Sequence, residues 1–101
     1  MKTSVIVITH PDYEKFQRLA LDSLRQQQGE CEVILHENTQ TTLAKACNQA
    51  ISEAQGEYIV RLDADDFVDP QLVHLEAEYL DEHPEIACVW CDYWKTYPVE
   101  G

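Results

Sequence analysis

Apolar residues occur along the chain in two alternating patterns. Residues 5–8 form a continuous β-branched run without polar alternation, which is the pattern of a parallel strand covered on both faces. Similar short apolar runs at 31–35, 58–62 and 86–90 predict three more strands. Between these runs, apolar residues recur every three or four positions, which predicts helices. The chain is therefore expected to consist of strands that alternate with helices.

Turn-forming and capping residues bound each predicted helix. Glycine commonly follows the end of a helix, proline favours its first turn, and Thr or Asp caps its N-terminus. The first predicted helix follows Asp12 and is closed by Gly29, the second is capped by Thr41 or Thr42 and ends at Gly56, and the third is opened by residues 69–70 and closed by residues 83–84.

This order of elements predicts the fold class. Strands that alternate with helices form right-handed crossovers, which produce a mostly parallel sheet with helices on both faces. We therefore predict a three-layer α/β/α fold of the Rossmann-like type, with about four strands. A chain of 101 residues can enclose one core, so we expect a single domain over residues 1–101.

Polar side chains follow the predicted strands at their carboxyl ends. In parallel sheets of this kind, ligands bind beyond the carboxyl ends of the strands. We call this edge of the sheet the rim. For His10 a simpler role is to end the first strand before a proline. His36 is a weaker candidate, because it could simply end the second strand. The candidate binding residues at the rim are Thr9, His10, Glu37, Asn38 and Asp63.

Three carboxylates crowd the end of the third predicted strand. Asp63, Asp65 and Asp66 lie within four residues of one another, and they repel one another unless a cation lies between them. Carboxylate oxygens are ligands for hard divalent cations, so we predict a divalent cation site here, and a metal held there could bind a diphosphate. The simpler alternative is a solvated loop whose acids favour the N-terminus of the next helix, although Asp69 suits that role better.

The charge of the chain excludes some partners. The net charge is −12, and from Glu53 onward there are thirteen of the nineteen acids but only two of the seven bases, Arg61 and Lys95. Nucleic acids and anionic bilayers require a basic surface, which this sequence does not supply. A small anionic ligand that arrives with its own metal remains compatible with this charge.

The cysteines and the apolar segments indicate a cytoplasmic protein. Cys88 and Cys91 form a Cys-x-x-Cys pair, but strand spacing places the two on opposite faces and no second close pair is present. Free thiols, including Cys31 and Cys47, are typical of a reducing cytoplasm. No apolar segment approaches the length of a membrane span, so none is expected.

Five segments together resemble the nucleotide-binding half of family 2 glycosyltransferases, which have the GT-A fold. Residues 4–10 look like the family's opening strand, which ends in Thr-Tyr-Asn, and residues 20–27 are similar to its first helix. Residues 32–39 occupy the place of the strand that ends in Asp-Asp-Gly-Ser, and 43–50 resemble the helix Gly-x-x-x-Ala-Arg-Asn-x-Gly. Residues 56–66 match the D-x-D motif with its preceding strand.

The resemblance implies a donor site for a nucleoside-diphosphate sugar, with a UDP-sugar favoured. Asp65 would ligate Mn²⁺ or Mg²⁺ between the two phosphates, Asp63 would contact the ribose or the metal, and Glu37 would lie near the base or ribose. Asn48 stands on the family's asparagine, although a structural bond to a nearby loop is an equal alternative. Transfer in this family inverts the anomeric configuration, with the metal acting as a Lewis acid toward the leaving diphosphate.

The chain also departs from the family pattern. The general base of the family lies in the acceptor half, beyond Gly101, so no catalytic residue is assigned here. The family's additional helix and strand between Thr39 and Leu43 are missing. A non-catalytic nucleotide-binding or interaction module is therefore an alternative function, and a homodimer is expected to cover the aromatic residues near the chain end. A nucleotidyltransferase is disfavoured, because residues 9–13 contain no glycine.

Overall fold

The computed structural model describes residues 2–64 and 66–89, and their strands and helices alternate as predicted. The resulting α/β architecture with a parallel sheet is the predicted fold class. In chain order the elements are β1 (Thr3–Thr9), a 3-10 turn (Pro11–Tyr13), α1 (Glu14–Arg25), β2 (Cys31–Glu37), α2 (Leu43–Glu53), β3 (Tyr58–Asp63) and α3 (Leu72–Glu82).

The sheet has β1 at its centre. Its strand order is β2-β1-β3, and β1 pairs in parallel with both neighbours. Val5, Ile6 and Val7 are at most 1% exposed. The continuous β-branched run therefore does form a strand covered on both faces, because only a central strand in a parallel sheet excludes solvent from consecutive side chains.

Helices cover both faces of the sheet. The core on one face consists mainly of side chains from β1, β3, α1 and α3. On the opposite face, to which Ile6 points by strand alternation, α2 lies against β1 and β2 and buries Ala46 and Ala50. This arrangement makes the three predicted layers. The core cluster of the first face consists of Val5, Val7, Ala20, Leu24, Leu62, Ala64 and Val73.

The backbone of Gly56 lies close to Ser4 where the chain passes from α2 back to the sheet. The Gly56 N–H donates to Ser4 Oγ over 2.8 Å. A Cβ atom on residue 56 would lie 2.5 Å from Ser4 N, so a side chain there would require the backbone to shift. Gly56 thus ends the α2 crossover and brings β3 alongside β1.

A polar network joins the edge of the sheet opposite the rim to α3. Lys2 Nζ lies 3.1 Å from Asp81 Oδ1 and 3.3 Å from Glu57 Oε2, and the Tyr58 hydroxyl donates to Asp81 Oδ1 over 2.5 Å. The hydrogen bond from Tyr58, together with that from Lys2, lowers the pKa of Asp81, and the same bonds raise the pKa values of Lys2 and Tyr58. These contacts tie the end of α3 to the starts of β1 and β3.

The fourth predicted strand is absent from the described residues. Residues 86–89 have no strand pairing, and Trp90 lies outside the described part of the chain. Ile86 N donates to His83 O over 2.9 Å in a turn, so the segment begins by bonding to its own preceding turn. A short apolar run predicts extended backbone, but a strand also requires a ladder with a neighbour, which the run alone does not specify. Among the described helices, none has the length and apolar character needed to cross a membrane.

Candidate functional site

The carboxyl ends of the three strands lie at one edge of the sheet, because both strand pairs are parallel. Thr9 is the register partner of Glu37, and Ile8 is the register partner of both His36 and Asp63. Residues that are distant in the sequence therefore end side by side. The structure places the predicted rim residues of all three strands at one edge, with Thr9 and Glu37 on one face of the sheet and Asp63 on the other.

Thr9 and His10 fix the turn that leads from β1 into α1. Thr9 is 6% exposed, and its Oγ1 donates to Gln17 Oε1 over 2.6 Å. His10 Nδ1 accepts a hydrogen bond from Asp12 N over 3.1 Å and lies 3.3 Å from Asp12 Oδ2. Both side chains hold the local structure at the rim, so ligand contact by either one stays a prediction.

Asn38 closes the loop that follows β2. Its Nδ2 donates to Thr41 O over 3.0 Å, and its Oδ1 accepts from Thr41 N over 3.2 Å. Its backbone N–H also donates to Thr9 O over 2.8 Å, which extends the pairing of β1 and β2 by one residue. Glu37 is exposed and lies on the same face of the sheet as Thr9. Of Thr9 and Glu37, only Glu37 has an exposed side chain that a ligand could contact.

Asp63 presents an exposed carboxylate at the end of β3. Its side chain is 58% exposed, and its Oδ1 lies 3.1 Å from Arg61 Nη2. Its backbone oxygen accepts a hydrogen bond from Asp66 N over 3.0 Å. Asp65, the predicted principal metal ligand, lies outside the described residues.

Asn48 lies in the middle of α2 with an exposed side chain. The helix is capped at the rim by Thr42, whose Oγ1 accepts from Lys45 N over 3.2 Å, and it runs from there toward Gly56. Within residues 2–64 and 66–89 the Asn48 side chain has no hydrogen-bond partner, so the loop bond considered from the sequence is not found there. Contact with a ligand remains a prediction for this residue.

Two residues at or near the rim are not among the main candidates that the sequence predicts. His36 shares the register partner Ile8, and hence the sheet face, with Asp63, whereas Glu37 lies on the other face. Arg61 pairs with Asp63 although it had counted only toward the charge balance. Spacing by two within a strand could have found Arg61, because such residues share a face. The position of His36 depends on the pairing register, which the sequence did not give.

A family model covers most of the chain. The model described as glycosyl transferase family 2 matches residues 13–100. The chain belongs to glycosyl transferase family 2. Membership in this family favours glycosyl transfer over the nucleotidyl transfer that was considered from the sequence.

Solved structures of one protein resemble this family 2 chain in fold and in sequence. Staphylococcus aureus TarS 1–349 in complex with UDP-GlcNAc superposes with a TM-score of 0.73 and 26% identity, over 83% of this chain and 32% of that chain. The TarS complex with UDP gives a TM-score of 0.72 and 27% identity, over 83% of this chain and 33% of that chain. This family 2 chain thus spans about a third of those TarS chains.

A curated relative matches a shorter stretch. The uncharacterized protein y4gI of Sinorhizobium fredii is 39% identical over 59 residues, which are 58% of this family 2 chain and 6% of that protein. The match extends over a small part of a much longer protein, so the function of the whole relative carries no argument here.

The donor groups at the rim fit a metal that is bound together with its ligand. Among the described residues, which leave out Asp65, no group of three or more His, Cys, Asp or Glu side chains is placed to hold a metal ion. Mg²⁺ is usually bound through one or two carboxylates, with phosphates and water completing its coordination. Asp63 has an exposed carboxylate of this kind, and Asp65 follows two residues later in the sequence.

Proposed function

We propose that this chain binds a nucleoside-diphosphate sugar at the rim, together with Mn²⁺ or Mg²⁺ held by Asp63 and Asp65. A UDP-sugar is the favoured donor, because TarS structures with UDP and with UDP-GlcNAc resemble this chain. The observation that carries the proposal is the exposed Asp63 carboxylate at the end of β3, beside the ends of two parallel strands. In sheets of this kind that edge is the ligand-binding edge.

Each rim residue has a part in the proposed site. Asp63 and Asp65 supply hard oxygen ligands, and Glu37 accepts hydrogen bonds from the hydroxyl or amide groups of the nucleoside. Thr9, His10 and Asn38 fix the loops that frame the site, and contact of these residues with the ligand is part of the proposal. The bound cation neutralises charge on the departing diphosphate.

Asn48 is proposed to approach the same ligand from α2. Its exposed amide can both donate and accept hydrogen bonds. Such a group suits a sugar or a nucleoside, which presents both kinds of partner.

Glycosyl transfer with inversion is the reaction proposed for the protein that contains this domain. The reaction needs a general base for the acceptor hydroxyl, and no residue of this chain is assigned to that role. This chain spans about a third of the TarS chains that it matches, so the acceptor and the full activity are part of the proposal. We place the reaction in the cytoplasm, on the strength of the free thiols of Cys31, Cys47 and Cys88.

A second function is favoured by the short connection between β2 and α2. Only residues 38–42 separate the two elements, where the family usually has a further helix and strand. Val33 and Leu35 of β2 are 41% and 46% exposed. A donor domain shortened in this way would serve as a nucleotide-binding or interaction module, and a second copy is one partner that would cover its apolar surface.

The proposal is tested by isothermal titration of UDP and UDP-GlcNAc into the protein, with Mn²⁺ and with EDTA. We expect binding that requires the metal, because Mn²⁺ links the rim carboxylates to the diphosphate. GDP, CDP and dTDP measure the preference for the base. Failure of every nucleotide to bind with Mn²⁺ would refute the donor site, whereas binding without hydrolysis or transfer to any of a panel of acceptors would support the module.

A further inference from the structure

Arg61 is a cation in a strongly acidic part of the chain. From Glu53 onward the chain has thirteen acids and two bases, and Arg61 is the one of those bases that lies in the described residues. It occupies the interior of β3, with Ile6 as its register partner. Because β3 lies at the edge of the described sheet, a charged side chain can occupy this position, and the contact that Arg61 makes indicates its role.

The geometry directs Arg61 toward the rim. Its Nη2 lies 3.1 Å from Asp63 Oδ1, and the Arg61 side chain is 51% exposed. A guanidinium has five N–H donors in a planar fork, and this contact uses one of its nitrogens. The remaining donors are suited to a second oxyanion, because arginine binds phosphate with two parallel hydrogen bonds.

We propose that Arg61 is a positioning residue that also sets selectivity for a diphosphate. Without ligand it neutralises Asp63 and keeps the Asp63 carboxylate in place. When the nucleotide binds with its metal, the guanidinium leaves Asp63 Oδ1 and hydrogen-bonds the diphosphate. This inference rests on the proposed donor site and extends it to a residue with no assigned role.

The proposal predicts effects of opposite sign on two ligands. Arg61 competes with a cation for Asp63 and repels it, so removal of its charge should strengthen the binding of Mn²⁺ alone. Arg61 also donates to the diphosphate, so the same change should weaken the binding of UDP with Mn²⁺. A merely structural role would change both affinities in the same direction, because a distorted rim binds both ligands less well.

The test compares Arg61→Gln and Arg61→Lys with a matched control, Arg25→Gln. Arg25 is also exposed, and its Nη1 lies 3.1 Å from Asp22 Oδ1, but it is in α1 away from the rim. Mn²⁺ binding is measured by electron paramagnetic resonance without nucleotide, and UDP and UMP binding by titration with Mn²⁺. A thermal unfolding curve for each variant establishes that it is folded.

We expect Arg61→Gln to bind Mn²⁺ severalfold more tightly and UDP about tenfold more weakly, the loss of one charged hydrogen bond. UMP affinity should change less, Arg61→Lys should recover part of the UDP affinity, and Arg25→Gln should match the wild type. Equal behaviour of Arg61→Gln and Arg25→Gln, or parallel changes in both ligands, would overturn the proposal. If the wild type binds Mn²⁺ but no nucleotide, the proposed donor site is refuted. The Mn²⁺ affinity of Arg61→Gln then still tests whether Arg61 competes with the cation for Asp63, because tighter binding is expected only if it does.

Discussion

Asp63→Asn and Asp65→Asn are each expected to weaken Mn²⁺-dependent UDP binding by about 100-fold or more. Changes to residues that merely support metal ligands already cost about 10- to 100-fold in metal affinity, and the loss of a direct carboxylate should cost at least as much. Asparagine keeps the size of the side chain and removes its charge, so the effect reports the ligand role. Isothermal titration of UDP with Mn²⁺ measures it.

Asp22→Asn is the control for this prediction. Asp22 is a partly exposed carboxylate, with its Oδ1 3.1 Å from Arg25 Nη1, the same distance as between Asp63 Oδ1 and Arg61 Nη2. It lies in α1, so UDP binding should remain at the wild-type level. An unchanged UDP affinity in both Asp63→Asn and Asp65→Asn would refute the proposed metal site. Only the resemblance in fold would then support the proposed function.

Ile6→Ala is expected to destabilise the domain by about 2–5 kcal/mol, the usual cost of truncating a buried isoleucine. Ile6 is 1% exposed at the centre of β1, so the lost contacts leave a cavity that α2 cannot fill without moving. Small domains have only about 5–15 kcal/mol of stability in total, so this variant approaches unfolding. Urea denaturation followed by circular dichroism measures the change.

Ile59→Ala serves as the comparison for Ile6→Ala. Ile59 is in the flanking strand β3 on the same face of the sheet, but it is 41% exposed. Its truncation should cost clearly less, because much of the side chain already contacts water. Equal losses for the two variants would mean that the face covered by α2 is not the well-packed layer described above.

The sequence carried most of the information about the fold. The β-branched run of β1 identified the central strand, since no other part of the sheet excludes water from consecutive residues. The predicted Thr42 cap begins α2, but the helix ends at Glu53 with Ala54 as its C-cap, before the predicted stop at Gly56. The hydrogen bonding at the start of α3 could not be predicted from the local sequence, because the Val73 N–H donates to Gln27 Oε1 over 3.1 Å. These two residues are 46 positions apart in the chain. The strand predicted over 86–90 failed in its described part, because pairing depends on a neighbour that a local pattern does not contain.

Features of the candidate site that involve neighbouring residues could be proposed from the sequence. Features that depend on how the strands pair could not. The crowding of Asp63 with Asp65 and Asp66 is visible in the sequence and pointed to a cation. By contrast, the sheet face of His36 follows from its alignment with Ile8, which only the pairing of β1 with β2 defines. The bonds of Thr9 to Gln17 and of Asn38 to Thr41 likewise depend on the folded positions of those partners.

The central claim is that a divalent metal and a nucleoside diphosphate bind at the rim, and amide NMR spectra with Mn²⁺ and UDP test it most directly. Paramagnetic broadening by Mn²⁺ falls steeply with distance, and a strand of seven residues such as β1 separates the two edges of the sheet by about 20 Å. We predict that the amide signals of Ala64, Asp66 and Asn38 broaden first, while those of Ser4 and Gly56 persist. Equal broadening at both edges, or broadening confined to the Ser4 and Gly56 edge, would contradict the account.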